Sequence, residues 1–223
     1  MPYFVFLMLL IFLSCSDLPK TARLQEGTIE YSINYPEQSL KRKSFLPDKM
    51  VFKFSDKACK NSFFGLFGLY HIDYVASSKK NSSYLLFSLN QSDYLYWMKE
   101  TDPHDFSGLD HFELTEADEV LTIDGFTCKK IHLRFTKSDE IFEAFYTTQI
   151  DCKQKSISNL FGLIKGTMLQ FTIIQSKPKR LKMTFKANTI KAEKIPAEEY
   201  QAPTDVNILE KSQMESLLDT NFI

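Results

Sequence analysis

The chain has 223 residues, and its 27 Lys and Arg side chains nearly balance 28 Asp and Glu side chains, leaving a net charge of −1. A polybasic nucleic-acid binder is excluded, because no net positive field exists to attract a polyanion. A hydrophobic fraction of 43%, with 20 Phe and 10 Tyr, can bury a core, so the body of the chain is not disordered. A polytopic membrane protein is excluded as well, since no stretch after residue 15 approaches the roughly 18 apolar residues of a spanning helix.

The N-terminus is apolar and uncharged. Residues 1–15 contain no Lys, Arg, Asp or Glu. The apolar run over residues 3–13 would form a helix roughly 16 Å long, about half of a bilayer core. That length fits the hydrophobic part of a secretion signal better than a membrane span. The alternatives are an ordinary signal peptide or a short buried strand.

The run ends in Phe12-Leu13-Ser14-Cys15, which resembles a bacterial lipobox, where acyl chains are attached to the cysteine. The resemblance implies that residues 1–14 are a lipoprotein signal peptide and that Cys15 carries the lipid. Residues 15–26 would then be a tether. We expect a protein of the bacterial cell envelope, anchored in the outer membrane, because several buried acyl chains hold a protein firmly.

From residue 27 onward, most of the chain alternates between apolar and polar residues, as half-buried strands do. Turn residues at 90–93, 124–125, 137–139 and 176–179 predict hairpins between such segments. Roughly nine or ten strands are predicted in this way. They include residues 28–35, 50–55, 84–89, 94–98, 119–123, 128–135, 141–147, 167–174 and 180–195.

Helical spacing is confined to two places. Val206, Leu209, Met214, Leu217 and Leu218 predict a C-terminal helix, with Ser212 and Glu215 as a capping box within it. A short helix is predicted over residues 156–163.

These elements predict a mainly β (β-rich α+β) fold. We expect one domain over residues 27–223, built as a large curved antiparallel sheet or incomplete barrel with one or two covering helices. Aromatic residues at alternating positions fit either a packed core or a cavity for an apolar ligand.

Three segments in order suggest a family. They are Gly125-Phe126-Thr127-Cys128-Lys129-Lys130, the aromatic strand at 142–150, and Leu160-Phe161-Gly162-Leu163-Ile164. This order resembles the GLPGLI-type envelope proteins of Bacteroidota, and several such families look like relatives of the lipoprotein-carrier (LolA/LolB-like) fold. The resemblance implies an incomplete barrel lined with apolar residues and an envelope address, and it carries no catalytic residues and no cofactor.

The cysteine count changes if Cys15 is acylated. Cys59, Cys128 and Cys152 then remain, and an odd number leaves at least one thiol unless chains pair. Export permits a disulfide. The pairs Cys59–Cys128, Cys59–Cys152 and Cys128–Cys152 are all open.

Three Phe-Gly-Leu triplets punctuate the chain. Glycine beside bulky apolar residues allows sharp bends and close approach of the backbone. The triplets are therefore either bends where the sheet curls, or an apolar lip or membrane-touching loop at the mouth of a cavity. The candidate lip residues are Phe64, Leu66, Phe67, Leu69, Phe161 and Leu163.

The densest group of His and carboxylate residues lies in a segment that reads as a loop. It comprises His104, Asp105, Asp110 and His111, with Glu113 nearby. These are weak candidates for a metal site, since helical spacing of ligands is missing, and a solvated acidic loop is the simpler interpretation. We expect no metal and no cofactor.

Three functional hypotheses follow. The first is a non-catalytic envelope lipoprotein that binds a lipid or another apolar ligand in the curved sheet. The second is a structural or interaction lipoprotein that binds an unknown protein partner on an outer face. The third is an envelope hydrolase that uses the His and carboxylate cluster.

Overall fold

The structure is a computed structural model, and it describes residues 23–37, 45–79, 83–99, 112–136, 140–154, 156–157, 162–175 and 181–222. All twelve strands within these ranges lie in one sheet. Numbered β1 to β12 in chain order, they are Gly27–Asn34, Lys49–Phe54, Ala58–Gly65, Tyr70–Ser77, Tyr84–Leu89, Ser92–Trp97, Phe112–Ile123, Phe126–Phe135, Ile141–Thr147, Thr167–Gln175, Leu181–Ala192 and Asn207–Ile208.

Among the described residues one α-helix, α1, spans Lys211–Phe222. Short 3-10 turns occupy Leu66–Gly68 and Ala197–Tyr200. No helix in these ranges is long and apolar enough to cross a membrane.

The sheet is open, and its strand order is β12-β6-β5-β4-β3-β2-β1-β11-β10-β9-β8-β7. The pairs are antiparallel except β12 with β6, which is parallel. The prediction of a mainly β fold with a large antiparallel sheet and a covering helix is therefore confirmed. The short parallel edge strand and a strand count of twelve are departures from the expectation.

The sheet curls strongly. The ring of Phe63 on β3 lies 6.4 Å from the ring of Phe185 on β11, although β2 and β1 separate these strands. In the half of the sheet that runs from β11 to β7, the backbone N–H of Ile190 on β11 donates to Asp124 Oδ2 at 2.8 Å. Asp124 belongs to the β7–β8 turn, at the far edge of the sheet. The sheet is therefore curved strongly enough to bring strands that are not neighbours in it into contact.

Aromatic and aliphatic side chains fill the concave face. The rings of Phe171 and Phe185 stack with centroids 4.7 Å apart. Tyr31 meets Phe171 edge-on at 6.0 Å, and its hydroxyl donates to the Met168 carbonyl at 2.8 Å. Ring pairs in such contact contribute about 0.5–1.5 kcal/mol beyond the area they bury. Where these rings meet, the interior is filled by protein.

Two segments cover the concave face. Helix α1 buries Met214 completely, with Leu217 and Leu218 packed against the core. The second segment is the connection between β9 and β10, whose Ile150 and Ile164 pack in the same core. The helix begins before the predicted capping box, because the N–H of Glu210 donates to Gln213 Oε1 at 2.9 Å. Ser212 therefore lies inside the first turn.

The convex face has its own cover, which we call the strap, residues 196–206. Tyr200, Ala202 and Val206 of the strap pack on a second apolar cluster formed by Val75, Tyr84, Leu86 and Leu95. Strands β4 and β5 are consequently buried on both faces.

Three strands, β3, β4 and the two-residue β12, were not predicted, and β12 lies between Val206 and Leu209, which were wrongly predicted to belong to the C-terminal helix. Alternation fails at β3 and β4 because both faces of β4 are covered, so polar and apolar residues no longer sort by face. The predicted hairpin turns at Asn90-Gln91 and Asp124-Gly125 are confirmed, and all four residues have positive φ, as type I′ turns require. The predicted turns at 137–139 and 176–179 and half of the predicted helix at 156–163, residues 158–161, lie outside the described residues.

Candidate functional site

The β3–β4 turn carries the most exposed of the predicted lip residues that the structure describes. Phe67 is 97% exposed and Leu69 is 57% exposed. Leu66 packs partly against the core, and the ring of Phe64 lies 6.0 Å from that of His71. The turn therefore presents large apolar side chains to solvent at one end of the sheet.

The backbone of this turn is strained. Leu66, Phe67 and Gly68 have φ of 49°, 56° and 85°, so three successive residues are left-handed. For a residue other than glycine this conformation costs roughly 1–2 kcal/mol. The N–H of Leu69 closes the turn by donating to the Leu66 carbonyl at 3.2 Å. Exposure and strain at Phe67 both cost stability in the isolated protein, a combination typical of functional segments.

Phe45, which sequence reasoning missed, lies beside this turn. The Tyr70 hydroxyl donates to the Phe45 carbonyl at 2.7 Å, and Phe45 is 54% exposed. A side chain at Gly65 would collide with the Tyr70 ring, so the glycine permits this approach. Burial raises the pKa of Tyr70 and keeps the hydroxyl protonated as the donor. We call Phe45, Leu66, Phe67 and Leu69 the apolar tip.

The third triplet is not part of the tip. Leu163 is exposed but precedes β10, whose first residue Thr167 pairs with Thr147 at the end of β9. The register places that end of the sheet opposite the β3–β4 turn. Leu163 therefore lies at the other end of the sheet from Phe67 and Leu69, and Phe161 lies outside the described residues.

One polar residue interrupts the concave face. Asn61 on β3 is fully buried between Phe52 and Tyr74 in the register of the sheet. Neither its Nδ2 nor its Oδ1 finds a hydrogen-bond partner among the described residues. Leaving such groups unsatisfied costs about 1–3 kcal/mol each. A polar ligand group that bonded to the Asn61 amide would recover this free energy.

A polar pocket of about 380 Å³ lies on the convex face between the sheet and the strap. Lys60 Nζ stands 3.2 Å from Asp73 Oδ2 and 3.8 Å from Glu199 Oε2. Lys53 Nζ holds the other oxygen of Glu199 at 2.8 Å. Sequence reasoning missed this pocket, since Lys60 and Asp73 lie on β3 and β4, which alternation did not predict.

The cysteines that the structure describes are buried thiols. Cys59 and Cys152 lie within side-chain hydrogen-bonding contact of each other. Burial first, and then the neighbouring Cys152 sulfur, raise the pKa of Cys59 well above its ordinary value. Cys128 sits elsewhere, with its Sγ 3.4 Å from the Phe126 carbonyl, and burial raises its pKa to about 11. Both shifts favour the protonated thiol.

Several predicted site residues fall outside the described residues. They are Cys15 with the signal segment, and His104, Asp105, Asp110 and His111. Within the described part of the chain no three His, Cys, Asp or Glu side chains converge as a metal site. Lipidation of Cys15 therefore stays a prediction, and the weak candidates for a metal site are not tested.

No protein-family model and no curated protein matches the chain. Two structures of PNGF-II, in space groups C2 and P21, superpose on it with TM-scores of 0.53 and 0.54 at 14% and 13% identity. Each covers 88% of this chain, which spans only 33% or 34% of PNGF-II. At this identity the likeness shows a shared fold and nothing about activity.

A LolA superfamily protein from Nitrosomonas europaea aligns over 82% of this chain and 94% of its own, at 8% identity. Its TM-score of 0.22 is too low to support any conclusion about fold or function. The resemblance to the GLPGLI-type proteins and to the lipoprotein-carrier fold accordingly stays a prediction.

Proposed function

We propose that the protein is a non-catalytic lipoprotein of the bacterial outer membrane that binds lipid acyl chains with its apolar tip. The observation that carries the proposal is Phe67, which is 97% exposed and held in a left-handed backbone conformation. Phe45 and Leu69 extend the same apolar surface. Clusters of exposed apolar side chains mark contact sites for membranes, apolar ligands or other proteins.

The tip is a better place for lipid than the centre of the concave face. There, the rings of Phe171 and Phe185 are already stacked at 4.7 Å. An acyl chain entering from the tip would displace water from Phe67 and Leu69 without breaking ring contacts of the core. Burying one such side chain contributes about 1.5–3 kcal/mol, so several together give a useful affinity.

The tether is long enough for the tip and the lipid anchor to meet one membrane. Strand β1 has 8 residues, about 26 Å, and it begins at the end of the sheet opposite the tip. Residues 15–24, if extended, reach about 30 Å. The domain can therefore hang from Cys15 with its tip turned toward the bilayer.

A position-specific probe tests this proposal in the full chain. Trp97 is the single tryptophan, so Phe67→Trp in a Trp97→Phe background reports on the tip alone. Reconstituted into vesicles that contain brominated phosphatidylcholine, the tryptophan at position 67 should be quenched and shifted to the blue. Val120→Trp in the same background is the matched control, because Val120 is 60% exposed on β7 near the opposite end of the sheet.

Quenching at position 67 that is no stronger than at position 120 would overturn the assignment of the tip. The anchor is tested separately by mass spectrometry of the mature N-terminus made in a bacterial host. An acylated Cys15, and release of a Cys15→Ala variant from the membrane fraction, are the expected results.

The interaction alternative keeps one specific observation in its favour. Strand β7 is an edge strand, and Leu114, Val120 and Leu121 on it are exposed. An exposed edge with apolar side chains can add a strand from another chain. Crosslinking in cells through position 120, and not through position 67, would favour a protein partner over lipid.

A further inference from the structure

We propose that strand β7 docks an extended segment of a partner protein in which basic and apolar residues alternate. The segment would add a strand to the sheet beside β7, which is an edge strand with a neighbour, β8, on one side only. This inference identifies the chemistry of the partner, and it holds whether or not the apolar tip binds lipid. Three features of β7 carry it: exposure on both faces, a free backbone edge and an excess of negative charge.

Strand β7 is exposed on both of its faces. Residues 113–122 are exposed or, at one position, half-buried. Leu114, Val120 and Leu121 are 40%, 60% and 41% exposed, whereas Leu133, the partner of Leu114 on β8, is fully buried. The core therefore ends at β8. Large apolar side chains that remain exposed together indicate a surface that a partner covers.

The free edge of β7 offers main-chain hydrogen bonds. In an antiparallel pair, the N–H and C=O groups of alternate residues point away from the neighbouring strand, so on an edge strand they lack a strand partner. The register with β8 shifts between Glu116 and Val120, which divides the edge into two regular runs, 112–116 and 120–123. An added strand can pair with either run, and in this mode of recognition the main-chain bonds supply the affinity.

The charge of β7 favours a basic partner. The strand contains no Lys or Arg and four carboxylates, namely Glu113, Glu116, Asp118 and Glu119. Glu119 is already paired with Lys130 of β8 at 2.8 Å. Glu113 and Asp118 have no cationic partner among the residues that the structure describes. Lys or Arg side chains on an added strand would form favourable cross-strand pairs with these two carboxylates.

The same charges argue against a second copy of this chain as the occupant. An antiparallel register that pairs Leu114 with Leu121 of the second copy also places Glu116 opposite Glu119. Like charges directly opposite each other destabilise a pair of strands. The partner that fits the edge therefore carries the opposite charge.

A fluorescently labelled peptide of sequence Lys-Val-Lys-Val-Thr-Val-Lys is the probe. Its binding to the full chain in detergent is measured by fluorescence anisotropy at low and high salt. We expect binding that weakens as the salt concentration rises, because exposed charges are screened. The same peptide with Glu in place of each Lys is the matched control and should bind roughly tenfold more weakly.

Methylation of the peptide nitrogens separates strand addition from attraction between charges alone. Two further peptides carry N-methyl groups on alternate residues, one on the odd and one on the even positions. Each pattern blocks the hydrogen bonds along one edge of the peptide and keeps every side chain. If the peptide pairs with β7, one pattern abolishes binding and the other leaves it nearly unchanged.

Variants of the chain locate the binding. Either Leu114→Lys or Val120→Lys should weaken it roughly tenfold, and the one that does so identifies the run that pairs. Asp118→Asn should weaken it about two- to fivefold, the usual effect of losing an exposed charge pair. Ile208→Lys is the matched control, because Ile208 is 68% exposed on β12, the opposite edge strand of the same sheet.

Four results would overturn the proposal. The first is a failure of the basic peptide to bind at millimolar concentration, and the second is equally tight binding of the peptide that contains Glu. The third is an equal effect of the two methylation patterns, or of Leu114→Lys, Val120→Lys and the Ile208→Lys control. The fourth is a dimer in sedimentation equilibrium that Leu114→Lys or Val120→Lys dissociates, since a second copy would then cover β7.

Discussion

The Cys59 thiol on β3 lies in hydrogen-bonding contact with the Cys152 thiol, which follows β9. The two residues are 93 positions apart in the chain, and both are buried. The contact singles out one of the three disulfide pairings that the sequence leaves open. Cys128 makes its nearest sulfur contact with the Phe126 carbonyl instead.

We therefore expect a Cys59–Cys152 disulfide in protein refolded with oxidised glutathione. Each thiol gives up its proton, the pair transfers two electrons to the glutathione disulfide, and two reduced glutathione molecules leave. Closing a loop of about 90 residues should stabilise the fold by about 3–5 kcal/mol. Peptide mapping under non-reducing conditions and denaturant unfolding with and without reductant measure the link and its effect.

Oxidation of the folded protein should be slow, because burial raises the pKa of Cys59 and thiolate is scarce. Cys128→Ser is the matched control and should keep both the link and the stability gain. Cys152→Ser should lose both. A link that includes Cys128, or oxidised protein no more stable than reduced protein, would contradict the pairing.

Replacing Phe67 with glycine should make the isolated protein more stable and its contact with lipid weaker. Glycine relieves the left-handed backbone, which contributes about 1 kcal/mol, and a side chain that is 97% exposed loses almost no packing. Thermal unfolding in solution and co-sedimentation with vesicles give the two readouts. Gly68→Ala is the converse test, because it places a side chain on a residue with a φ of 85°. It should destabilise the protein, although open space surrounds that position. Lower stability for Phe67→Gly would show that the tip is not strained.

Asn61→Leu should raise the unfolding free energy. The substitution keeps the branched shape and the number of heavy atoms of the side chain, and it removes two buried polar atoms that the described residues leave unsatisfied. We expect a gain of about 1–3 kcal/mol in chemical denaturation. Ser62→Ala, at the next position on the opposite face of β3, is the comparison and should change stability little. A destabilised Asn61→Leu protein would mean that water or another group satisfies the amide.

Hairpin chemistry explains what could be predicted from the sequence. Asp124-Gly125 requires positive φ at both residues, which few other pairs tolerate, and the turn is where the dipeptide predicts it. Residues 28–35 alternate without interruption because one face of β1 is wet, and the strand Gly27–Asn34 follows this pattern closely. Alternation and turn residues therefore predict a strand correctly where one of its faces is buried and the other is exposed.

The pocket and the tip depend on contacts that no local rule contains. Tyr74 and Val75 on β4 are both buried because the strap, more than 120 residues later, covers the second face. Lys60 meets Glu199 for the same reason. At the tip, the sequence indicates a bend at Phe67-Gly68, but exposure of Phe67 depends on which end of the curled sheet the turn occupies.

Asp124→Ala should destabilise the protein by about 1–2 kcal/mol. Its Oδ2 accepts the Ile190 N–H at 2.8 Å, and Asp124 itself adopts a left-handed φ of 46° that alanine tolerates poorly. Asp124→Asn keeps an acceptor and the turn preference, so it should lose less than half as much. Equal losses in the two variants, measured by urea unfolding, would show that neither the side-chain bond nor the turn conformation matters.

Acid should weaken the contact between the strap and the sheet. The hydrogen bond from Lys53 lowers the pKa of Glu199 below its ordinary value of 4.5, and Lys60 adds to the effect. A carboxyl whose pKa is lower in the folded state stabilises the fold above its unfolded pKa, and this contribution disappears as the pH falls through the folded pKa. The Glu30 carboxyl beside Lys49 acts with the same sign.

Glu199→Gln should therefore be less stable than the unmodified chain at neutral pH, and it should lose less stability when the pH is lowered below 4.5. The difference stays under about 1 kcal/mol, because this pair is partly exposed to solvent and screened by it. Unfolding free energies across the pH range, at low and high salt, measure both effects, and salt should reduce the first. Glu193→Gln serves as the control and should follow the unmodified chain. If Glu199→Gln shows the same pH profile as that control, the Lys53–Glu199 pair does not hold the strap.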